Sequence, residues 1–266
     1  MKATTEPSPS ARLPDYALSL TAYHRAFAVE LAECVARLPV SAGDRVLDLA
    51  CGNGFFSACL SGQVGQRGQV VAADLSPAFL RLAENTCRHV ANVQFAEANA
   101  YRLPFPDCSF SLVWCAQSLI SLTRPEMVLA EMRRVTRPDG FVAVLETDEL
   151  HHILLNWPTA VEVAVQQATL AEAVRRYGGA GRLSPSRWAG DAMRKARLRD
   201  VRKWTVVADR QAPFDDRTAD FLGLHLEELR NRVRGLLTDE QLAAFDQFPD
   251  DDATLTCLNT LFVARR

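Results

Sequence analysis

The apolar positions Phe27, Leu31, Cys34, Val35 and Leu38 recur at the three- and four-residue spacing of one helix face, which predicts an amphipathic helix over 17–38. The pattern then changes. Arg45-Val-Leu-Asp-Leu-Ala is a short apolar run of strand type, followed by Cys51-Gly-Asn-Gly and the small and apolar residues of a second helix. Gln69-Val-Val-Ala-Ala-Asp74 is the next strand, and Ser76-Pro77 supplies an N-cap and a proline at the first helical position. Further strands are predicted at 92–96, 110–115, 141–146, 201–208 and 254–264. Helices are predicted after Thr123 and Pro125, after Ser184-Pro185, and over 216–247, where Thr238 and Gln241 form a capping box. Between 150 and 183 the strand signal gives way to helical Ala, Val, Leu and Arg.

Strands alternating with helices imply a parallel sheet with right-handed crossovers. The 266 residues, 48% hydrophobic and 23% charged, suit one large α/β domain and exclude wholesale disorder. The net charge of -2 offers no global field for a polyanion or an anionic membrane surface. Seven dispersed cysteines without a C-x-x-C pair read as reduced thiols of a cytoplasmic protein, with neither a disulfide framework nor a metal site. Residues 1–14, rich in Ser, Thr and Pro, are expected to be a disordered N-terminus without a signal sequence, and no stretch has the length of a membrane span.

The turn Cys51-Gly-Asn-Gly54 lies between a buried strand and a helix, where Gly52 and Gly54 let backbone approach a ligand. Asp74 ends the next strand, twenty residues beyond Gly54, where a carboxylate can accept both hydroxyls of a ribose. Together these predict a nucleoside site. Dinucleotide enzymes place a third glycine where this chain has Ser57, and Asp48 before the turn would repel a pyrophosphate but suits a ligand with a cationic amine and sulfonium.

In these residues the chain resembles the class I S-adenosylmethionine-dependent methyltransferases, whose first motif Asp48-Leu-Ala-Cys-Gly-Asn-Gly54 matches. Asn99-Ala-Tyr-Arg-Leu-Pro-Phe-Pro-Asp-Cys-Ser-Phe, Leu112-Val-Trp-Cys and Met132-Arg-Arg-Val-Thr-Arg-Pro-Asp-Gly140 are similar to the small-molecule branch that includes ubiquinone/menaquinone C-methyltransferases. The resemblance covers roughly residues 40–150. It implies a Rossmann-like, seven-stranded, mostly parallel sheet flanked by helices, its last strand antiparallel, with helical lid insertions. It implies S-adenosyl-L-methionine as cofactor, with the backbone of Gly52 and Gly54 beside the methionine and Asp74 on the ribose. Leu75 would pack on the adenine, Asn99 would accept from its amino group in place of the usual aspartate, Ala100 would offer its amide, and Cys115 would present its carbonyl to the methionine ammonium. The implied organisation is a single methyltransferase domain over 15–266, with a cofactor-binding half at 40–150 and lid or substrate insertions at 150–183 and 214–248.

Methyl transfer asks an enzyme to align the nucleophile and exclude water, and a base is optional. His151 and His152, leaving the fifth strand, are the candidate bases, against a capping or solvent-facing role. Gln117 after the fourth strand, and Tyr23 and His24 on the first helix, are candidate substrate contacts, against a core or surface role. Residues 175–203 carry ten basic side chains against Asp191 and Asp200, a feature of anion recognition or of solvated helix faces balanced elsewhere. The expected partner is a small-molecule methyl acceptor, with no nucleic acid and no membrane; a homodimer is compatible with the chain. An NAD-dependent oxidoreductase and a non-catalytic S-adenosylmethionine-binding protein are the competing readings.

Overall fold

The computed structural model describes residues 12–148, 153–177 and 183–266. Its sheet is assembled in the order β3-β2-β1-β4-β5-β8-β6, with β7 also on β8. The strands are β1 (Arg45–Leu49), β2 (Gln69–Asp74), β3 (Val93–Glu97), β4 (Phe110–Ala116), β5 (Thr136–Glu146), β6 (Ile153–Leu155), β7 (Arg199–Gln211) and β8 (Thr254–Arg265). The first five run parallel, and β8 is antiparallel to β5, β6 and β7. The sheet therefore has eight strands where seven were expected. The extra one, β6, pairs Ile153–Leu155 with Leu255–Cys257, while β5 pairs with residues 260–265 of the same strand. Because β7 occupies the other edge of β8 along its length, β6 lies on the same edge of β8 as β5.

The strands β1, β2 and β4, the second half of β5 and most of β8 are buried on both faces, which is why their sequences are nearly continuous apolar runs. Alternate residues serve opposite cores. Leu112, Trp114, Ala143, Leu145, Leu261 and Val263 pack on one face, and Val113, Cys115, Val142, Val144, Phe262 and Ala264 on the other. The first core is closed by α1 (Ala17–Ala26), α2 (Ala28–Ala36), α3 (Phe55–Val64), α6 (Thr159–Tyr177), α8 (Asp216–Val233) and α9 (Asp239–Asp246). The second is closed by α5 (Pro125–Val135) and α7 (Pro185–Lys195). The helix α4 (Pro77–Thr86) opens as its sequence predicts, with Ser76 Oγ accepting from the Phe79 amide.

Two predicted helices are divided. The 17–38 helix breaks at Phe27, whose φ of -112° and ψ of 24° leave the helical region while its fully buried ring meets Tyr23 and Phe221. The 216–247 helix becomes α8 and α9, and the capping box of Thr238 and Gln241 starts the second. Among the described residues no helix is long and apolar enough to cross a membrane.

Candidate active site

The parallel strands deliver their C-terminal ends to one edge, where α/β folds bind ligands. The turn after β1, the Asp74 end of β2, the Asn99 segment after β3 and Gln117 after β4 all lie along that edge.

The two turn glycines have different tasks. Gly54, at φ 80°, approaches α4 so closely that a Cβ would stand 2.8 Å from Ala83 Cα. Gly52, at φ 52°, would place a Cβ no nearer than 3.7 Å from anything, its neighbour being Leu20 of α1. Only Gly54 is demanded by packing, and Gly52 faces the room between the turn and the first helix. Accordingly Gly54→Ala should cost about 2–4 kcal/mol in a urea titration and Gly52→Ala about 1 kcal/mol, since only the former adds a backbone collision to left-handed strain.

Asp48 lies behind the turn, buried, and accepts a 2.5 Å hydrogen bond from Ser57 Oγ. Burial pushes its carboxyl up to about 7, against the lowering effect of Ser57 and with a further push from the charge of Asp74. A cation above the turn would favour its ionised form. Ser57, noted in the sequence only as a missing glycine, is thus the partner that satisfies this carboxyl.

Asp74 accepts from the Gly52 amide at 3.0 Å and the Ser76 amide at 2.8 Å, one through each oxygen. Burial raises its pKa despite these donors. Each carboxylate oxygen retains accepting capacity, so the group can take hydroxyl donors while it fixes the turn. Leu75 beside it is 43% exposed, an apolar surface available to a ring. Asn99 Oδ1 accepts from the Tyr101 amide at 2.9 Å, so its carbonyl already holds the local turn; Ala100 is half-buried next to it. Cys115 sits one residue inside the end of β4, in register with Leu49 and Val144, and its thiol is buried and held neutral by that burial.

Gln117 follows β4 in the left-handed region at φ 52°, its amide donating to Leu145 O at 2.6 Å. The next two amides, of Ser118 and Leu119, donate to Glu146 Oε1 at 3.1 and 2.8 Å. Glu146 is fully buried, its Oε2 has no hydrogen-bond partner, and desolvation pushes its carboxyl up to about 8. This residue holds the loop that carries Gln117, a role the sequence reading did not assign.

The first helix is sewn to this edge. His24 is buried between Phe55, stacked at 4.7 Å, and the edge of Phe56, and its Nδ1 lies 3.0 Å from Asn53 Oδ1. Its Nε2 is 3.2 Å from Oε1 of Gln117. Desolvation lowers its pKa to about 4, with both hydrogen bonds opposing that shift. Tyr23 is also buried, donating its hydroxyl to Asn259 Oδ1 at 2.8 Å, and burial raises its pKa well above the usual value. The charged groups that line the adjoining hollow with His24 are Arg25, Arg217 and Asp220. A histidine whose folded pKa is depressed is stabilising while neutral, and that contribution is lost as pH falls from its unfolded pKa towards the folded one. The stability advantage of wild type over His24→Phe should therefore shrink by about 2 kcal/mol between pH 7 and pH 5 in denaturant titrations. A constant difference would mean that the ring is not held neutral.

Tyr23 and Gln117 line a cavity of about 270 Å³ that also takes in Thr147, Ile153, Trp157, Phe221 and Arg232. Its walls come from α1, α6, α8 and β6, so the two segments expected to carry substrate insertions both reach it. Of the basic residues between 175 and 203 whose side chains are described, none lines it; Arg194 pairs with Asp191, and Lys203 Nζ donates to Ser186 O. His151 and His152 lie outside the described residues, as do Met1 to Ala11 of the expected disordered N-terminus.

Residues 47–144 match the family model described as a methyltransferase domain. Among curated proteins, the ubiquinone/menaquinone biosynthesis C-methyltransferase UbiE of Teredinibacter turnerae is 40% identical over 119 residues, 44% of this chain and 48% of that protein. The corresponding protein of Psychromonas ingrahamii is 43% identical over 107 residues, 39% of this chain and 43% of its own length. The chain thus matches about half the length of these relatives. The crystal structure of the YcgJ protein from Bacillus subtilis shares the fold, with a TM-score of 0.57 at 18% identity over 89% of this chain and 98% of that one.

Proposed function

We propose that this protein is an S-adenosylmethionine-dependent methyltransferase acting on a small-molecule acceptor in biosynthetic metabolism. The observation that carries the reading is that the methyltransferase-domain turn, fixed by Asp74, adjoins a cavity lined by Tyr23, Trp157 and Phe221 through Leu20, which lines that cavity and stands beside Gly52. The room beside Gly52 and the bare face of Leu75 fit a nucleoside bearing an amino-acid tail. The cofactor supplies an electrophilic methyl carbon on a sulfonium centre. The turn backbone at Gly52 and Gly54 would bind the methionine moiety together with the Cys115 carbonyl, and Asp74 would accept the ribose hydroxyls. Leu75, Asn99 and Ala100 would border the adenine, and Asp48, held by Ser57, would add negative charge beneath the turn.

The acceptor is assigned to the cavity, which α1, α6 and α8 wall and which Tyr23 and Gln117 border, so that a bound acceptor would displace water there. A flat, largely apolar molecule suits those aromatic walls, in keeping with the quinone-pathway names of the relatives. His151 or His152 is assigned to hold the proton of a hydroxyl or amine acceptor, because residues on both sides of them, Thr147 and Ile153, line the cavity. The seven free cysteines accord with a reducing, cytoplasmic setting. The division into a 40–150 cofactor half and substrate insertions at 150–183 and 214–248, within one domain over 15–266, belongs to the same proposal.

Calorimetry with S-adenosylhomocysteine and, separately, NAD tests the cofactor, with binding of the first alone expected. Incubation of enzyme and methyl-labelled cofactor with a metabolite extract, read by mass spectrometry, then seeks the labelled product. Binding of NAD in place of S-adenosylhomocysteine would overturn the reading.

A further inference from the structure

The hydrogen bonds around His24 determine which end of the Gln117 side chain faces the cavity. Thr21 Oγ1 spends its own proton on Ala17 O at 2.9 Å, so at its 3.4 Å contact with Asn53 it accepts, which makes the Asn53 atom there the amide nitrogen. The Asn53 oxygen independently accepts from the Phe55 amide at 3.1 Å. Asn53 is therefore oriented by one acceptor and one donor whose roles are unambiguous, and the atom 3.0 Å from His24 Nδ1 is a carbonyl oxygen. His24 Nδ1 must carry a proton and donate it.

Between the rings of Phe55 and Phe56, with no carboxylate among its hydrogen-bond partners, the imidazole is neutral and holds that single proton. Its Nε2 then presents a lone pair, and a carbonyl at 3.2 Å would set two acceptors face to face. A half-turn of the Gln117 amide resolves this, because oxygen and nitrogen occupy equivalent positions at the end of the side chain. The amide nitrogen donates to His24 Nε2 and the carbonyl oxygen turns away. Gln117 is half-buried, stands on a left-handed backbone held by Leu145 O and Glu146, and borders the 270 Å³ cavity.

We propose that Gln117 is a specificity-determining residue whose carbonyl oxygen, turned towards the acceptor cavity by the relay from Asn53 through His24, selects a methyl acceptor presenting a hydroxyl or N–H group at that point. The proposal rests on the methyltransferase reading above and narrows its substrate class to molecules with an apolar body and a hydrogen-bond donor beside the cofactor turn. His24 is a positioning residue in this scheme: it acts through Gln117, and the same relay ties the acceptor side of the site to the glycine turn through Asn53.

Two measurements test it. In protein labelled with ¹⁵N-histidine at pH 7.5, the His24 signal is identified among five histidines by its loss in His24→Asn. Should that variant not fold, removing the other four histidines in turn identifies it by elimination. The expected spectrum has a pyrrole-type Nδ1 and a pyridine-type Nε2; a pyrrole-type Nε2 would return the Gln117 carbonyl to His24 and overturn the proposal. In the second, 2-naphthol and 2-methoxynaphthalene, which share an apolar body and differ in one donor, are titrated into enzyme saturated with S-adenosylhomocysteine. Wild type should favour the naphthol by about tenfold more than Gln117→Leu does. An equal ratio in the two proteins, or failure of the naphthol to bind, removes the selecting role. The spectrum needs no cofactor, so a pyrrole-type Nε2 with normal cofactor binding counts against Gln117 alone, whereas absent cofactor binding counts against the methyltransferase reading itself.

Discussion

Asp74→Ala is expected to weaken S-adenosylhomocysteine binding about a hundredfold, the equivalent of roughly 2–3 kcal/mol for lost charge-assisted bonds to the ribose. The position amplifies the loss. Asp74 also holds the Gly52 and Ser76 amides, so its removal frees the turn that would carry the methionine end as well as the acceptor of the ribose hydroxyls. Asp74→Asn separates the two effects: its carbonyl can still accept one backbone amide, but the negative charge is gone, and an intermediate loss of about tenfold is expected. Calorimetry of both variants, with circular dichroism to establish folding, gives the answer. Wild-type affinity in folded Asp74→Ala would remove the ribose assignment.

The second large effect concerns the segment between Glu146 and Ile153. If His151 or His152 takes the acceptor's proton, its replacement by alanine should lower kcat by about 10² to 10⁴ and leave cofactor affinity unchanged. The rate of wild type should rise with pH through the histidine pKa, near ~6.5 for an unperturbed imidazole, and flatten in the functional variant. Thr147 and Ile153 bring the two ends of the segment to the cavity wall, which is the observation behind the assignment. The measurement is single-turnover methyl transfer by each variant across pH with the acceptor found in the extract experiment. Wild-type rates and profiles in both would leave alignment alone, as for an already nucleophilic carbon, to account for the reaction.

The long apolar runs of β1, β2, β4, β5 and β8 were legible because strands covered on both faces leave little room for polar residues. The strand β6 was not: Ile153-Leu-Leu155 is three residues long, and its partner Leu255–Cys257 lies about a hundred positions away. The single helix expected over 17–38 shows the same limit from the other side. Its apolar spacing is continuous, and the break is accompanied by contacts of the Phe27 ring with Phe221 of α8 and Arg210 of β7. Local periodicity reports the burial of a face, not a change of axis imposed by a distant element.

At the site, Gly52, Gly54 and Asp74 stood out because a left-handed turn after a strand and an acidic strand end are local requirements written into consecutive residues. What the sequence by itself determined is therefore the alternating sheet, the glycine turn and the acidic residue that fixes it. The tertiary structure alone decided that Ser57 satisfies Asp48, that Glu146 holds the loop of Gln117, and that His24 joins Asn53 to Gln117. The physical reason is range. His24 meets partners 29 and 93 positions away, and a hydrogen bond between such residues leaves no periodic trace in either segment until folding brings their elements to the same edge of the sheet.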